Sequence, residues 1–173
     1  TLKKYADASG LLDKLKFDNC VNGYVKQKSI FTNAKPHENA DVILNIDLVK
    51  FFDTITEYRI YGVFKQLGYH PNLAIDLSKL CTCCIPKAYF DTFDESEKKI
   101  FIDIFDKEVA VLPQGAPTSP GLSNLVCSHL DKRLNRISLK KGITYTRYAD
   151  DLTFSGKAES LPNLNLIKKI VKS

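Results

Sequence analysis

Ile143-Thr144-Tyr145-Thr146-Arg147-Tyr148-Ala149-Asp150-Asp151-Leu152-Thr153-Phe154-Ser155 decides how the rest of the chain is read. β-Branched and aromatic residues mixed with polar ones flank an acidic pair on both sides, the pattern of two short strands. Between them Ala149-Asp150-Asp151 is the point of reversal, because Asp accepts turn geometry. Two adjacent carboxylates at a hairpin tip repel each other and call for a counter-charge. A hard divalent cation with oxygen ligands, Mg²⁺ above all, is the usual one. A bare Asp-Asp is most often a solvated turn; the strand-forming flanks and the Tyr148-Ala149 lead-in set this pair apart.

Outward from the hairpin, Leu112-Pro113-Gln114-Gly115-Ala116-Pro117-Thr118-Ser119-Pro120 holds three prolines and a glycine in nine residues. Such a segment is neither regular helix nor central strand. It predicts a shaped loop feeding a helix, with Ser119 as N-cap and Pro120 in the first turn. Leu122, Leu125, Val126, His129, Leu130, Leu134 and Ile137 form that helix's apolar stripe, on which His129 is expected to pack, and Gly142 ends it. Further back, Val42-Ile43-Leu44-Asn45-Ile46-Asp47 reads as a central buried strand, apolar on both faces, with a carboxylate held at the rim of the sheet. The chain then turns through Leu48–Asp53 into a helix. Thr54-Ile55-Thr56-Glu57 fits a capping box there, and Gly68 fits a stop. Tyr58, Tyr61, Phe64 and Leu67 are its packing face.

Pro71 opens the next helix, on which Leu73, Leu77, Leu80, Cys81 and Cys84 recur at helical spacing. Cys81-Thr82-Cys83-Cys84 has no second ligand pair further on, so Cys81 and Cys84 read as small buried hydrophobes rather than a zinc site. Val25–Phe31 and Ile100–Val111 both alternate like strands, with a charged turn or connection at 91–99. Leu11, Leu12, Leu15 and Phe17 suggest a short helix or strand lead-in, and Pro162–Lys172 begins another helix. His37 is expected to be structural. Lys26, Lys28 and Lys35, and separately Arg133, Arg136, Lys140, Lys141 and Arg147, are either phosphate contacts or solvated cations, the latter group suiting a helix C-terminus.

The chain has 173 residues, 44% hydrophobic and 26% charged, enough for one real core and inconsistent with disorder. A net charge of +5 suits a polyanionic partner without demanding one. Five cysteines is an odd count. With no signal-peptide pattern and no apolar run near the ~18 residues of a membrane span, a reducing cytoplasm is the expectation, with no membrane partner. The start at Thr1 and the stop inside a helix suggest a piece of something longer.

Asp47 at a strand end and Asp150 and Asp151 at a hairpin tip share one logic. An antiparallel sheet can bring them together across the chain, and three converging acids need roughly two divalent cations. Two such ions about 4 Å apart activate a 3′-hydroxyl and stabilise a pyrophosphate leaving group.

Tyr148-Ala149-Asp150-Asp151 resembles the Tyr-x-Asp-Asp signature of reverse transcriptases, and the likeness extends over about residues 25–156 with separate motifs in the family's order. Asn45-Ile46-Asp47-Leu48-Val49-Lys50-Phe51-Phe52-Asp53 resembles the first catalytic motif. The resemblance implies Asp47, Asp150 and Asp151 as catalytic metal ligands, joined by the Leu48 carbonyl. It implies Phe52 as the steric gate that excludes a 2′-hydroxyl, and Gln114 and Gly115 against the incoming nucleotide. Tyr148 and Ala149 would lie near the primer end.

The implied fold is α+β: a polymerase palm, an antiparallel sheet backed by helices, with part of the fingers and no thumb. Residues 1–40 would be a fingers portion and 41–173 the palm, with a fingers-side insertion around 70–111. The implied activity is RNA-directed DNA polymerisation on an RNA template and primer with dNTPs, using two Mg²⁺ ions or Mn²⁺ in their place. Asn33-Ala34-Lys35-Pro36-His37, Gln114–Pro120 and Leu152-Thr153-Phe154-Ser155 resemble the bacterial retron group, which implies a dedicated structured non-coding RNA. Group II intron-type and phage-defence reverse transcriptases are close alternatives. More distant ones are an RNA-dependent RNA polymerase and a catalytically silent nucleic-acid-binding domain of the same shape.

Overall fold

The computed structural model describes residues 18–171, so the lead-in expected around Leu11, Leu12, Leu15 and Phe17 lies outside them. The chain divides into two compact units, residues 1–49 with 127–173, and residues 50–126. No helix among the described residues is long and apolar enough to cross a membrane.

The first unit is built on a three-stranded antiparallel sheet of β1 (Val42–Asp47), β2 (Thr144–Tyr148) and β3 (Asp151–Gly156), in the order β1-β3-β2. Leu152 and Phe154 point from the middle strand into the core with Tyr145 and Ile143. The Tyr145 and Phe154 rings are 4.9 Å apart. Two helices bring the other half of this core. Leu130, Leu134 and Ile137 come from α6 (Ser119–Lys141), and Ile167 and Ile170 from α7 (Leu164–Val171). Each such side chain contributes about 1.5–3 kcal/mol when fully buried.

Three expectations fail in this unit. Val42–Asp47 is a strand, but among the described residues it pairs only with β3 and lies at the sheet's edge. Leu44 and Ile46 turn toward the core while Ile43 is 56% exposed, so the run follows the period-2 rule of a one-sided sheet. Val25–Phe31 is not a strand. Gln27 takes a left-handed backbone, as Tyr24 does just before the run (φ 65° and 58°). Ser29 then caps the short helix α1 (Ile30–Ala34), the Ser29 amide donating to Thr32 Oγ1 at 2.8 Å. His129 is exposed, because the buried face of α6 runs through Leu134, Asp131 and Ser138.

The second unit is helical. Between α1 and α6 in chain order come α2 (Glu57–Gln66), α3 (Pro71–Cys81), α4 (Lys87–Phe90) and α5 (Glu95–Asp106). Helix α2 packs on α3. It starts after Thr56, not at Thr54, whose hydroxyl donates to the Phe51 carbonyl at 2.7 Å within a 3₁₀ turn, Phe52–Thr54. Gly68, at φ 96°, ends it as expected.

The strand expected over Ile100–Val111 is helix α5 for most of its length, and the charged segment before it holds the start. Asp94 caps Glu97 at 2.8 Å and Glu97 reaches back to the Asp94 amide at 3.0 Å, a reciprocal box that overrides the apparent alternation. Phe101, Ile104 and Phe105 then fall on one face and join Ile85, Phe90, Phe93 and Val111 in an aromatic core, with Phe90 stacked on Phe105 at 4.1 Å.

The cysteine reading also fails. Ala74 and Ser78, four apart, take the buried positions of α3, so Leu80 is 83% exposed, Cys81 is half-buried and Cys83 and Cys84 lie at the surface.

Candidate functional site

β2 ends at Tyr148, β3 begins at Asp151, and the residue that makes the reversal is Ala149, in the left-handed region at φ 56°. The register then does the assembly: Asp47 stands directly opposite Asp151, and the Leu48 amide donates to the Asp150 carbonyl at 3.2 Å. Residues 102 and 104 apart in sequence thus meet at one end of the sheet. The Asp47 carboxyl is pushed above the usual carboxylate range, by partial desolvation first and then by the charges of Asp150 and Asp151. Carboxylates that feel one another in this way, carrying only hard oxygen donors, fit a divalent cation by chemistry. Among the described residues, no three His, Cys, Asp or Glu side chains form a ready-made metal cage. The backbone brings the donors together; the side chains are not closed around a point.

What holds the hairpin is a buried polar network. Arg147, expected to be a phosphate contact or a solvated cation, is fully buried. Its Nε and Nη2 donate to both oxygens of Asp131 at 2.8 and 2.7 Å, and its Nη1 donates to the Ala149 carbonyl at 2.9 Å. The Tyr145 hydroxyl adds a bond to Asp131 Oδ1 at 2.9 Å. Burial works against the Arg147 charge, but the Asp131 carboxylate outweighs it and holds the guanidinium protonated. Burial, then Asp131, likewise pushes the Tyr145 hydroxyl well above its ordinary range.

On its other side β2 is gripped by the segment at 20–22: the Arg147 amide donates to Cys20 O and the Asn22 amide to Arg147 O, each at 2.8 Å. Next to it Gly23 lies flat under the turn, where a Cβ would run into the Ala149 nitrogen. His37 is buried and structural, as expected. Its Nδ1 lies 2.6 Å from Ser155 Oγ and its Nε2 2.8 Å from Thr146 Oγ1, which ties β3 to β2. Burial holds its pKa below that of a free imidazole.

Gly23 and Asp131 were not singled out by the sequence reading. The signal for Asp131 was an acid three residues before Leu134 on an otherwise basic helix half, with Arg147 the unspoken counter-charge.

Of the residues expected at the site, Asp47, Leu48, Tyr148, Ala149, Asp150 and Asp151 belong to the sheet unit, and Phe52, Gln114 and Gly115 to the helical one. Phe52 is half-buried at the head of the 3₁₀ turn, its ring edge-on to Phe51 at 5.3 Å. Gln114 borders a cleft of about 300 Å³ with Asp53, Cys83, Cys84, Tyr89 and Pro113. Gly115 follows at φ 91°, a backbone that favours glycine. Arg133, Arg136, Lys140 and Lys141 are exposed on α6, whereas Lys28 donates to the Asn19 and Val21 carbonyls at 2.8 and 2.7 Å.

A family model described as "Reverse transcriptase (RNA-dependent DNA polymerase)" matches residues 10–173. The Retron Ec86 reverse transcriptase of Escherichia coli is 39% identical over 163 residues, which cover 94% of this chain and 41% of that protein. The Retron Mx162 reverse transcriptase of Myxococcus xanthus is 40% identical over 147 residues, 85% of this chain and 29% of the relative. The Retron Mx65 reverse transcriptase of the same organism is 40% identical over 151 residues, 84% and 33% respectively. The chain therefore spans well under half the length of these relatives.

Proposed function

The chain belongs to the reverse transcriptase family, and on that premise we propose that it carries the catalytic palm of a retron-type RNA-directed DNA polymerase. The α+β core of mixed helices and a small antiparallel sheet fits such a palm. In this reading residues 1–40 belong to the fingers, residues 41–173 are palm, and the stretch around 70–111 is a fingers-side insertion. The observation that carries the reading is the register of β1 on β3, with Asp47 opposite Asp151 and Leu48 bonded to Asp150.

Asp47, Asp150, Asp151 and the Leu48 carbonyl would hold two divalent ions, Mg²⁺ or Mn²⁺, which supply charge stabilisation for the attacking 3′-oxygen and the departing pyrophosphate. The rest falls to the chain's own residues. The Arg147–Asp131 network fixes the hairpin, so the backbone that carries Asp150 and Asp151 is placed before substrate arrives. Phe52 excludes a 2′-hydroxyl, Gln114 and Gly115 lie against the incoming dNTP, and Tyr148 and Ala149 border the primer end. The partners are an RNA template, a primer and, on the retron likeness, a dedicated structured non-coding RNA, with the bacterial cytoplasm as the expected compartment.

Primer extension by the full-length protein on an RNA template, with dNTPs and Mg²⁺ and Asp150→Asn beside it, tests the reading. Extension that vanishes in the variant supports it. Extension that persists in the variant removes these acids from the chemistry. No extension in either protein, on generic or structured RNA, points instead to a silent nucleic-acid binder.

A further inference from the structure

Phe52 is followed directly by Asp53, a carboxylate that is 7% exposed. Burying an acid is costly unless it is bonded, and the bond here is to Tyr89, whose hydroxyl donates to Asp53 Oδ2 at 2.9 Å across 36 residues of chain. Tyr89 is itself held from two further sides. Its ring meets Phe93 edge-on at 5.0 Å, and Lys50 Nζ stands 5.4 Å from its centre and 4.3 Å from that of Phe93. Lys50 also pairs with Glu97 at 3.7 Å. Burial and the Asp53 carboxylate push the Tyr89 hydroxyl up to about 12, so it remains a donor at any working pH.

The segment carrying Gln114 is tied to the same turn. The Leu112 amide donates to Ile55 O at 2.9 Å, and Val111 exchanges amide bonds of 2.9 and 2.8 Å with Cys83. Asp53, Tyr89, Pro113 and Gln114 line one cleft. The backbone of the Phe52–Thr54 turn is closed by Thr54 N to Lys50 O at 3.1 Å and Ile55 N to Phe52 O at 3.0 Å. Such bonds set the turn's shape and the Leu112–Ile55 bond anchors the residue after it, while the Tyr89–Asp53 bond adds a side-chain tie at the residue next to Phe52.

We propose that the Tyr89–Asp53 hydrogen bond is a positioning strut that seats the Phe52 turn beside Gln114 and thereby sets discrimination between deoxyribose and ribose. This rests on the reading of Phe52 as the sugar gate. Tyr89 and Asp53 touch neither nucleotide nor metal; they act through Phe52. A gate works by contact, so a small displacement of its ring admits a 2′-hydroxyl while leaving the rest of the nucleotide seated.

The test is single-nucleotide incorporation by the full-length protein, reading kcat/KM for a dNTP and for its ribonucleotide. Tyr89→Phe keeps the ring, its contact with Phe93 and its place under Lys50, and removes only the hydroxyl. The dNTP-to-rNTP ratio is expected to fall about tenfold, through a lower KM for the ribonucleotide, with kcat for the dNTP within about twofold of wild type. Asp53→Asn keeps an oxygen that can accept from Tyr89 and is expected to retain most of the ratio. Asp53→Ala is expected to match Tyr89→Phe, and the double variant to match either single one, because both break one bond.

An unchanged ratio in Tyr89→Phe overturns the strut, as does an equal loss for both sugars, which marks general structural damage. If Phe52→Ala itself leaves the ratio unchanged, the gate reading has failed and the strut goes with it. A ratio that moves in Phe52→Ala but not in Tyr89→Phe removes the strut alone.

Discussion

The two units stabilise themselves by different means. In the sheet unit the apolar core is joined by buried polar side chains that tie its elements together: Arg147, Asp131, Thr146, Ser155 and His37, with Tyr145 bonded through its hydroxyl. In the helical unit the core is a set of rings, Phe90, Phe93, Phe101 and Phe105, with Ile85 and Val111. Rings pack without much directional demand and tolerate small shifts. A bidentate guanidinium–carboxylate pair with a third bond to the Ala149 carbonyl permits essentially one backbone geometry. A hairpin that must hold two like charges side by side needs the second kind of support; a scaffold for a cleft can use the first.

The largest effect should come from the acids themselves. Asp150→Asn should lower primer-extension kcat by on the order of a thousandfold. The melting temperature should hold or rise, since a like charge is removed. A coincident collapse of both would show that Asp150 is structural.

Next is the contrast between the two cores. Arg147→Met alone should destabilise the sheet unit by about 3–5 kcal/mol, because Asp131 is left buried and unpaired, and Asp131→Leu with Arg147→Met should recover much of that. Phe101→Ala in the ring core should cost a similar ~3–5 kcal/mol. There, however, no second single substitution of a neighbouring ring should restore it. Urea unfolding of the single and double variants measures the difference, and rescue in both cores or in neither would erase the distinction.

A smaller loss, about 1–3 kcal/mol, is expected for Gly23→Ala, whose Cβ would push on the Ala149 nitrogen. Because the push falls on the turn that carries the acids, primer extension should suffer more than stability does, and equal losses would locate the strain elsewhere.

The smallest effect is titrational. Burial lowers the His37 pKa in the folded state, so as pH falls below about 6.5 the unfolded chain takes the proton first. The His37 contribution is therefore complete above that value and is lost as pH falls toward and through the folded pKa. His37→Gln should flatten this acid limb when urea midpoints are compared at about pH 7.5 and about pH 5. An unchanged pH dependence would mean that His37 titrates as freely in the fold as outside it.

Much of the site was legible because it depends on short-range pattern. The two β-forming flanks around Ala149-Asp150-Asp151 and the carboxylate ending Val42–Asp47 are local facts and lie where they were expected, as does the helix Ser119–Lys141, although Ser119 is its first residue and not its N-cap. The errors fall where a local alternation competed with a cap or a neighbour. Ile100–Val111 alternates on paper, but the Asp94–Glu97 box starts a helix, and once started it places Phe101 and Phe105 together. The cysteines of 81–84 keep helical spacing, yet which face of α3 is buried was decided by its packing on α2, and that face is Ala74 and Ser78.

The amino-acid order alone thus determined the elements that carry the acids, since strand pattern and turn residues are properties of neighbours in sequence. Only the tertiary structure decided that Arg147 is a buried support and not a phosphate contact, that Gly23 lies beneath Ala149, and that Asp53 is bonded to Tyr89. Each of those pairs lies 16 to 126 residues apart, across chain that carries no local trace of the contact. Charge looks the same in sequence whether it is solvated or buried; the partner that neutralises it is found only when the chain has folded.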